Sequence, residues 1–125
     1  MIATAVWDFK RFVSDAVVLN LGGNDYSTEP HPEDEVYIAA FAALVRRARQ
    51  AHPKAYIVCF VAEGWPGYHG KVSEAVKRSG DANAAVCTYA DFKNEELGCD
   101  YHPKAWQHQV LAATLVEHLR AKLGW

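Results

Sequence analysis

The sequence has no basic stripe, no long apolar run and too few cysteines to build a disulfide framework. Its 13 Lys and Arg stand against 15 Asp and Glu, for a formal net charge of -2. Apart from the Arg46, Arg47, Arg49 group the cations are scattered, so no nucleic-acid partner is expected. No window approaches the roughly 20 apolar residues of a membrane span, which disfavours a membrane partner as well. The N-terminal stretch MIATAVWDFKRF lacks a basic segment leading into a sustained apolar run and a small-residue cleavage site. The default expectation is therefore a cytoplasmic, reducing location, with secretion still open if a leader has been removed. Cys59, Cys87 and Cys99 are an odd number, and the first two sit in apolar runs where a thiol behaves as a small hydrophobe. Cys99, close to His102 on a tight turn, is expected to pack rather than react. His31, His52, His69, His108 and His118 show neither HExxH nor paired ligand spacing, so no metal and no other cofactor is expected.

What is present is enough for one domain with its own core: 125 residues, half of them hydrophobic and 22% charged. Three short apolar runs, Ala16 to Leu21 (AVVLNL), Ala55 to Ala62 (AYIVCFVA) and Ala84 to Tyr89 (AAVCTY), alternate with longer helical patterns. That alternation predicts an α/β fold with a parallel sheet covered by helices. The first two runs are apolar on both faces and read as central strands. Helices are expected over about Glu33 to Gln50, His69 to Ser79 and Lys104 to Leu123. Pro32 and the acidic Glu33, Asp34 and Glu35 suit the start of the first, and Arg46, Arg47 and Arg49 its end. Gly80 suits the stop of the second. On the third, Val110, Leu111, Thr114, Leu115, His118 and Leu119 fall at helical spacing and should face the sheet, with Trp106 in the core.

The loops 22–32, 63–68 and 93–103 then leave the carboxyl ends of the strands, where open α/β sheets build their sites. In the first, LNLGGNDYS, Gly22 and Gly23 allow a sharp turn after the strand, and Asn24 can aim an amide donor at an oxyanion. Asp25 has the composition of a turn-ordering carboxylate, and Ser27 that of a loop cap or of a nucleophile. In the third loop, GCDYHPKAW presents His102 just before the last helix, with Pro103 stiffening the turn. The middle loop, EGWPGYHG, offers Trp65 and Tyr68 as aromatic rings for the rim of a crevice.

LNLGGNDYS resembles the Gly-x-Asn-Asp block of SGNH (GDSL-type) hydrolases, and CDYHP resembles their C-terminal histidine block. The phrase VVLNLGGNDYS…GCDYHPKAWQHQVLAATL is most similar to carbohydrate esterase family 2, whose members deacetylate plant polysaccharides. The resemblance runs from about Trp7 to the C-terminus and implies a three-layer flavodoxin-like α/β/α sheet. It implies Asn24, with Gly22, as the oxyanion hole, and His102 as general base and acid. Family members often carry an Asp three residues before that His. Here Cys99 holds the position and Asp100 follows it, a departure that favours a Ser-His dyad oriented by a backbone carbonyl over a triad through Asp100.

The family's Gly-Asp-Ser nucleophile block has no counterpart before Gly22, where the one serine, Ser14, lies at the wrong end of its strand. The expectation is a single partial SGNH domain over residues 1–125, truncated on its N-terminal side, with about three parallel strands. Strand Ala16 to Leu21 would then be an open edge, covered by self-association. Two functional readings follow. One is a serine-type esterase for short acyl groups, acetylated sugars among them, with Ser27 as the local nucleophile and Asp25, Trp65 and Tyr68 near the substrate. The other is a non-catalytic fragment acting as an oligomeric scaffold or carbohydrate-binding module; a missing half supplied by another chain is a third possibility.

Overall fold

The computed structural model describes residues 8–64 and 67–125. Strands Ala16–Leu19 (β1), Tyr56–Ala62 (β2) and Ala84–Tyr89 (β3) alternate with helices Asp34–Ala51 (α1), Tyr68–Ser79 (α2) and Ala105–Leu123 (α3). The strands form one parallel sheet in the order β1-β2-β3. The α/β class, the three parallel strands and the helices on both faces are thus as the sequence leads one to expect. None of the helices among the described residues is long and apolar enough to cross a membrane.

β2 explains the layering. Successive side chains of a strand point to opposite faces, and here both sets are apolar. Ile57, Cys59 and Val61 pack with Leu19, Tyr37, Phe41, Val45, Tyr68 and Val72 into the core shared with α1 and α2. Tyr56, Val58 and Phe60 join Cys87 on the other face, where Leu111, Leu115, Leu119 and Leu123 of α3 lie against them. Burial alone pushes the Cys59 thiol up to about 12, which leaves it an inert hydrophobe.

Three expectations are corrected by how these layers sit. β1 is not the central strand its two apolar faces suggest but the open edge that was also expected: among the described residues it pairs with β2 alone, and Val18, facing the α3 side in register with Val58, is 41% exposed. Val110 does not pack on the sheet and is 48% exposed, because the leucines of α3 lie over β2 and β3 and turn Val110 outward. Trp106 is likewise half exposed, resting edge-on against Phe92 with ring centres 5.6 Å apart. His118, in contrast, stacks on Tyr56, with its Nε2 2.8 Å from the phenol oxygen.

The opposite end of the sheet is tied by Arg49, beside the Asn83 amide, which donates to the Ala55 carbonyl at 3.2 Å. Arg49, in the last turn of α1, donates through Nε to Asp81 at 2.8 Å and through Nη2 at 3.3 Å. Its Nη1 donates to the carbonyls of His52 (3.1 Å), Pro53 (3.1 Å) and Ala55 (2.7 Å), and its Nη2 to that of Asn83 at 3.3 Å. The guanidinium therefore joins the end of α1 to the approaches of β2 and β3. Its hydrogen bonds hold the Asp81 carboxyl below the usual range.

Candidate active site

The first loop is shaped by what lies beneath it. β1 stops at Leu19, and Asn20 turns its amide sideways to donate to the Phe60 carbonyl of β2 at 2.7 Å. The Leu21 carbonyl then accepts the Tyr68 hydroxyl. Gly22 adopts φ 94°, and a Cβ there would fall on the Tyr37 hydroxyl, so both the conformation and the space require glycine. A 3-10 turn, Gly23–Tyr26, follows. Asp25 N donates to the Gly22 carbonyl at 3.3 Å, and Ser27 N and Oγ both donate to the Asn24 carbonyl, at 3.3 and 2.9 Å. Asn24, Asp25 and Ser27 are all exposed on the outside of this turn.

After β3 the chain makes two short 3-10 turns, Asn94–Glu96 and Cys99–Tyr101, before α3 begins. Asp100 (φ 53°) and Tyr101 (φ 58°) are consecutive left-handed residues with side chains, each an arrangement that costs about 1–3 kcal/mol. The loop is closed around them by Gly98 N donating to the His102 carbonyl at 2.8 Å and His102 N donating to the Cys99 carbonyl at 3.1 Å. The Gln107 side chain, fully buried, accepts Lys104 N at 2.6 Å and so starts α3 immediately after the loop. His102 is held by its backbone while its ring is exposed, with no hydrogen bond to it from any described residue.

Because the three strands are parallel, the Asn24 turn, the Glu63-Gly64 segment and the His102 loop all leave the same end of the sheet. Glu63 N donates to the Tyr89 carbonyl at 3.0 Å, Thr88 Oγ1 donates to Glu63 at 2.6 Å, and Gly64 N donates to the Asp91 carboxylate. These bonds fasten the exit of β2 to that of β3. Trp65 lies outside the described residues.

The sheet thus gathers Asn24, Asp25, Ser27, Asp100 and His102 at one end, without a hydrogen bond between the two loops among the described residues. Asp100, exposed and left-handed, makes none with His102. Two expectations are overturned here. Tyr68 does not stand at a crevice rim: it is 6% exposed, packed under the Asn24 turn, and burial pushes its phenol up to about 12. Cys99 does not pack but is exposed, as are Gly98, Asp100, Tyr101 and His102 around it in the same turn. Among the described residues no group of three or more His, Cys, Asp or Glu is placed to hold a metal.

Residues that the sequence reading passed over include Asn20, Tyr26 and Tyr37. The signal for Asn20 was an amide inside an apolar run. Tyr26 and Tyr37 carried no local signal, since each looks like an ordinary loop or helix aromatic until α1 and α2 are packed together.

An open parallel α/β sheet with its polar loops collected at the carboxyl ends is the architecture of a site-bearing α/β domain. A family model described as the GDSL-like Lipase/Acylhydrolase family matches residues 2–110, and the chain belongs to that family. It is 31% identical over 131 residues to the cellulase/esterase CelE of Acetivibrio thermocellus, covering 95% of this chain and 16% of that protein. It is 26% identical to the acetylxylan esterase / glucomannan deacetylase of Cellvibrio japonicus, covering 95% of this chain and 34% of that one. Among solved structures it is similar to a family two carbohydrate esterase from Clostridium thermocellum in complex with cellohexaose. The TM-score is 0.84 at 30% identity, over 98% of this chain and 40% of the other. The chain therefore spans well under half the length of these relatives.

Proposed function

We propose that the chain acts as a serine-type ester hydrolase on short acyl esters, with acetylated carbohydrate as its substrate class. The observation that carries this reading is the delivery of Asn24 and His102 by separate loops to one end of a parallel sheet, in a chain of the GDSL-like family. In the reaction a serine oxygen attacks the acyl carbon while His102 takes its proton. The carbonyl oxygen becomes an oxyanion that the Asn24 amide stabilises, with the Gly22 turn shaping the hole. His102 returns the proton to the leaving sugar oxygen, giving an acyl-serine and a free hydroxyl. A water then repeats the attack with His102 as base, releasing the acid and restoring the serine. No cofactor enters these steps. Ser27 is the serine available on the same turn, Asp25 and Trp65 are the residues proposed to meet the substrate, and Asp100 is not required.

The test is hydrolysis of p-nitrophenyl acetate by the purified chain, beside labelling with a serine-directed organophosphate and peptide mapping. The expected result is turnover with one label, on Ser27, and loss of both in Ser27→Ala. Turnover with the label elsewhere removes Ser27 from the mechanism, and no turnover at all overturns the hydrolase reading.

A second reading is favoured by one contact: the Ser27 hydroxyl is spent on the Asn24 carbonyl of its own turn. In that reading the chain is a non-catalytic scaffold or carbohydrate-binding module whose β1 edge is covered by a second copy. The edge of β1, unpaired among the described residues, the 41% exposure of Val18 and the 55% exposure of Leu21 support such self-association. Sedimentation velocity at micromolar concentration is expected to give a dimer or larger species, and Val18→Lys to shift it to monomer. A compact monomer at all concentrations would remove this edge as an interface.

A further inference from the structure

We propose that Tyr68, backed by Tyr37, is the positioning residue that fixes the Asn24 turn from beneath, an inference whose catalytic consequence rests on the hydrolase reading. Three elements contribute a phenol to this place: the turn itself (Tyr26), α1 (Tyr37) and α2 (Tyr68). Tyr68 donates its hydroxyl to the Leu21 carbonyl, just past the end of β1. The Tyr37 hydroxyl fills the space next to Gly22 that a Cβ would need. Tyr26, at the far end of the turn, rests edge-on against Tyr37 with ring centres 5.0 Å apart, and Tyr68 lies 6.5 Å from it. Lys71 closes the outside, its Nζ 4.2 Å above the Tyr26 ring and 2.7 Å from Asp34.

The segment Leu21 to Tyr26 is therefore held at its start, at Gly22 and at its end, while Asn24 between them spends only its backbone carbonyl, on Ser27, and leaves its side chain exposed. That division matches the need of an oxyanion donor, whose place must hold within a few tenths of an ångström while its NH2 stays available. Both supporting tyrosines are 6% exposed, so they cannot meet substrate and act only through the turn. Burial of the two phenols keeps them protonated, and hence able to donate, throughout the neutral range.

The test is Tyr68→Phe, which keeps the ring and its packing and removes only the oxygen, with Tyr37→Phe as a second variant. Amide hydrogen exchange of 23–27 is expected to rise about tenfold in Tyr68→Phe, with β2 unchanged. On p-nitrophenyl acetate, kcat should fall about tenfold with KM within about twofold, as expected for a misplaced transition-state donor. In an Asn24→Ala background the same substitution should cost nothing more. Unchanged exchange in the turn, or a kcat loss that persists in full without Asn24, would overturn the proposal. If the unmodified chain has no turnover, the hydrolase reading fails and the exchange measurement alone decides whether Tyr68 positions the turn.

Discussion

Replacing His102 with alanine is expected to lower kcat/KM on p-nitrophenyl acetate by about 10²–10⁴-fold, the usual contribution of a positioned general base and acid. The loss should fall almost wholly on chemistry. The bonds that shape the loop, from Gly98 N to the His102 carbonyl and from His102 N to the Cys99 carbonyl, belong to the backbone and survive the change. The ring is exposed and makes no hydrogen bond with a described residue, so its removal exposes no buried partner. The melting temperature should therefore stay within a degree or two of the unmodified chain's, about what a surface substitution produces. Added imidazole should restore part of the rate by supplying the missing base from solution. Equal turnover in the variant and the parent would exclude His102 from the reaction, whatever the serine.

Arg49→Ala should be the most damaging single change to the fold outside the core, destabilising it by about 2–4 kcal/mol. The reason is how many partners one guanidinium satisfies. Asp81, whose side chain is 9% exposed, would be left without its cation, and the carbonyls of His52, Pro53, Ala55 and Asn83 would lose a donor together. Charged hydrogen bonds are worth about 1.5–3 kcal/mol each but do not add when they share a group, which sets the range. Arg49→Lys should recover little, because one ammonium cannot span the same fork. Acidity gives an independent check. Asp81 has a folded pKa below its unfolded value of about 3.9, so the stability it contributes is present above that pH. It is lost as pH falls through the lowered folded value. Urea titrations should show the gap between parent and Arg49→Ala at full size at pH 7 and narrowing below about pH 4. A gap of the same size at pH 2.5 would mean that the Asp81 pairing is not its source.

The two results concern opposite ends of one sheet. At the amino ends of β2 and β3, Arg49 spends every donor on holding elements together. At the carboxyl ends, Asn24 and His102 are left with their side chains unspent, and the buried Tyr68 and the amide of Asn20 do the holding. A site needs such a division, since a donor already satisfied by the protein has nothing to offer a transition state.

Much of this was written locally in the chain. The run AAVCTY is β3 to the residue, and each helix begins and ends within one residue of where its periodicity and caps place it. β1 ends earlier, at Leu19, because the Asn20 amide leaves the strand line to reach Phe60. The parallel order also follows the pattern, since a helix between successive strands is the crossover that a parallel pair needs. With it come the shared edge of the Asn24 and His102 loops and the family to which they belong.

What the tertiary structure alone decided is which apolar and aromatic residues find partners. Val110, Trp106 and Val18 have the pattern of core residues, yet α3 lays its leucines on β2 and β3, which turns its own Trp106 and Val110 outward and leaves Val18 of β1 uncovered. Tyr68 has the pattern of a loop aromatic, yet it meets the Leu21 carbonyl 47 residues away and becomes part of the turn's foundation. Arg49 has the pattern of a helix-end cation, yet Asp81 awaits it 32 residues on. Periodicity is a relation among neighbours in the chain and is legible there. A hydroxyl on a carbonyl, or a guanidinium on a carboxylate, depends on where three separately formed elements come to rest, and that placement is set by the packing of the whole core.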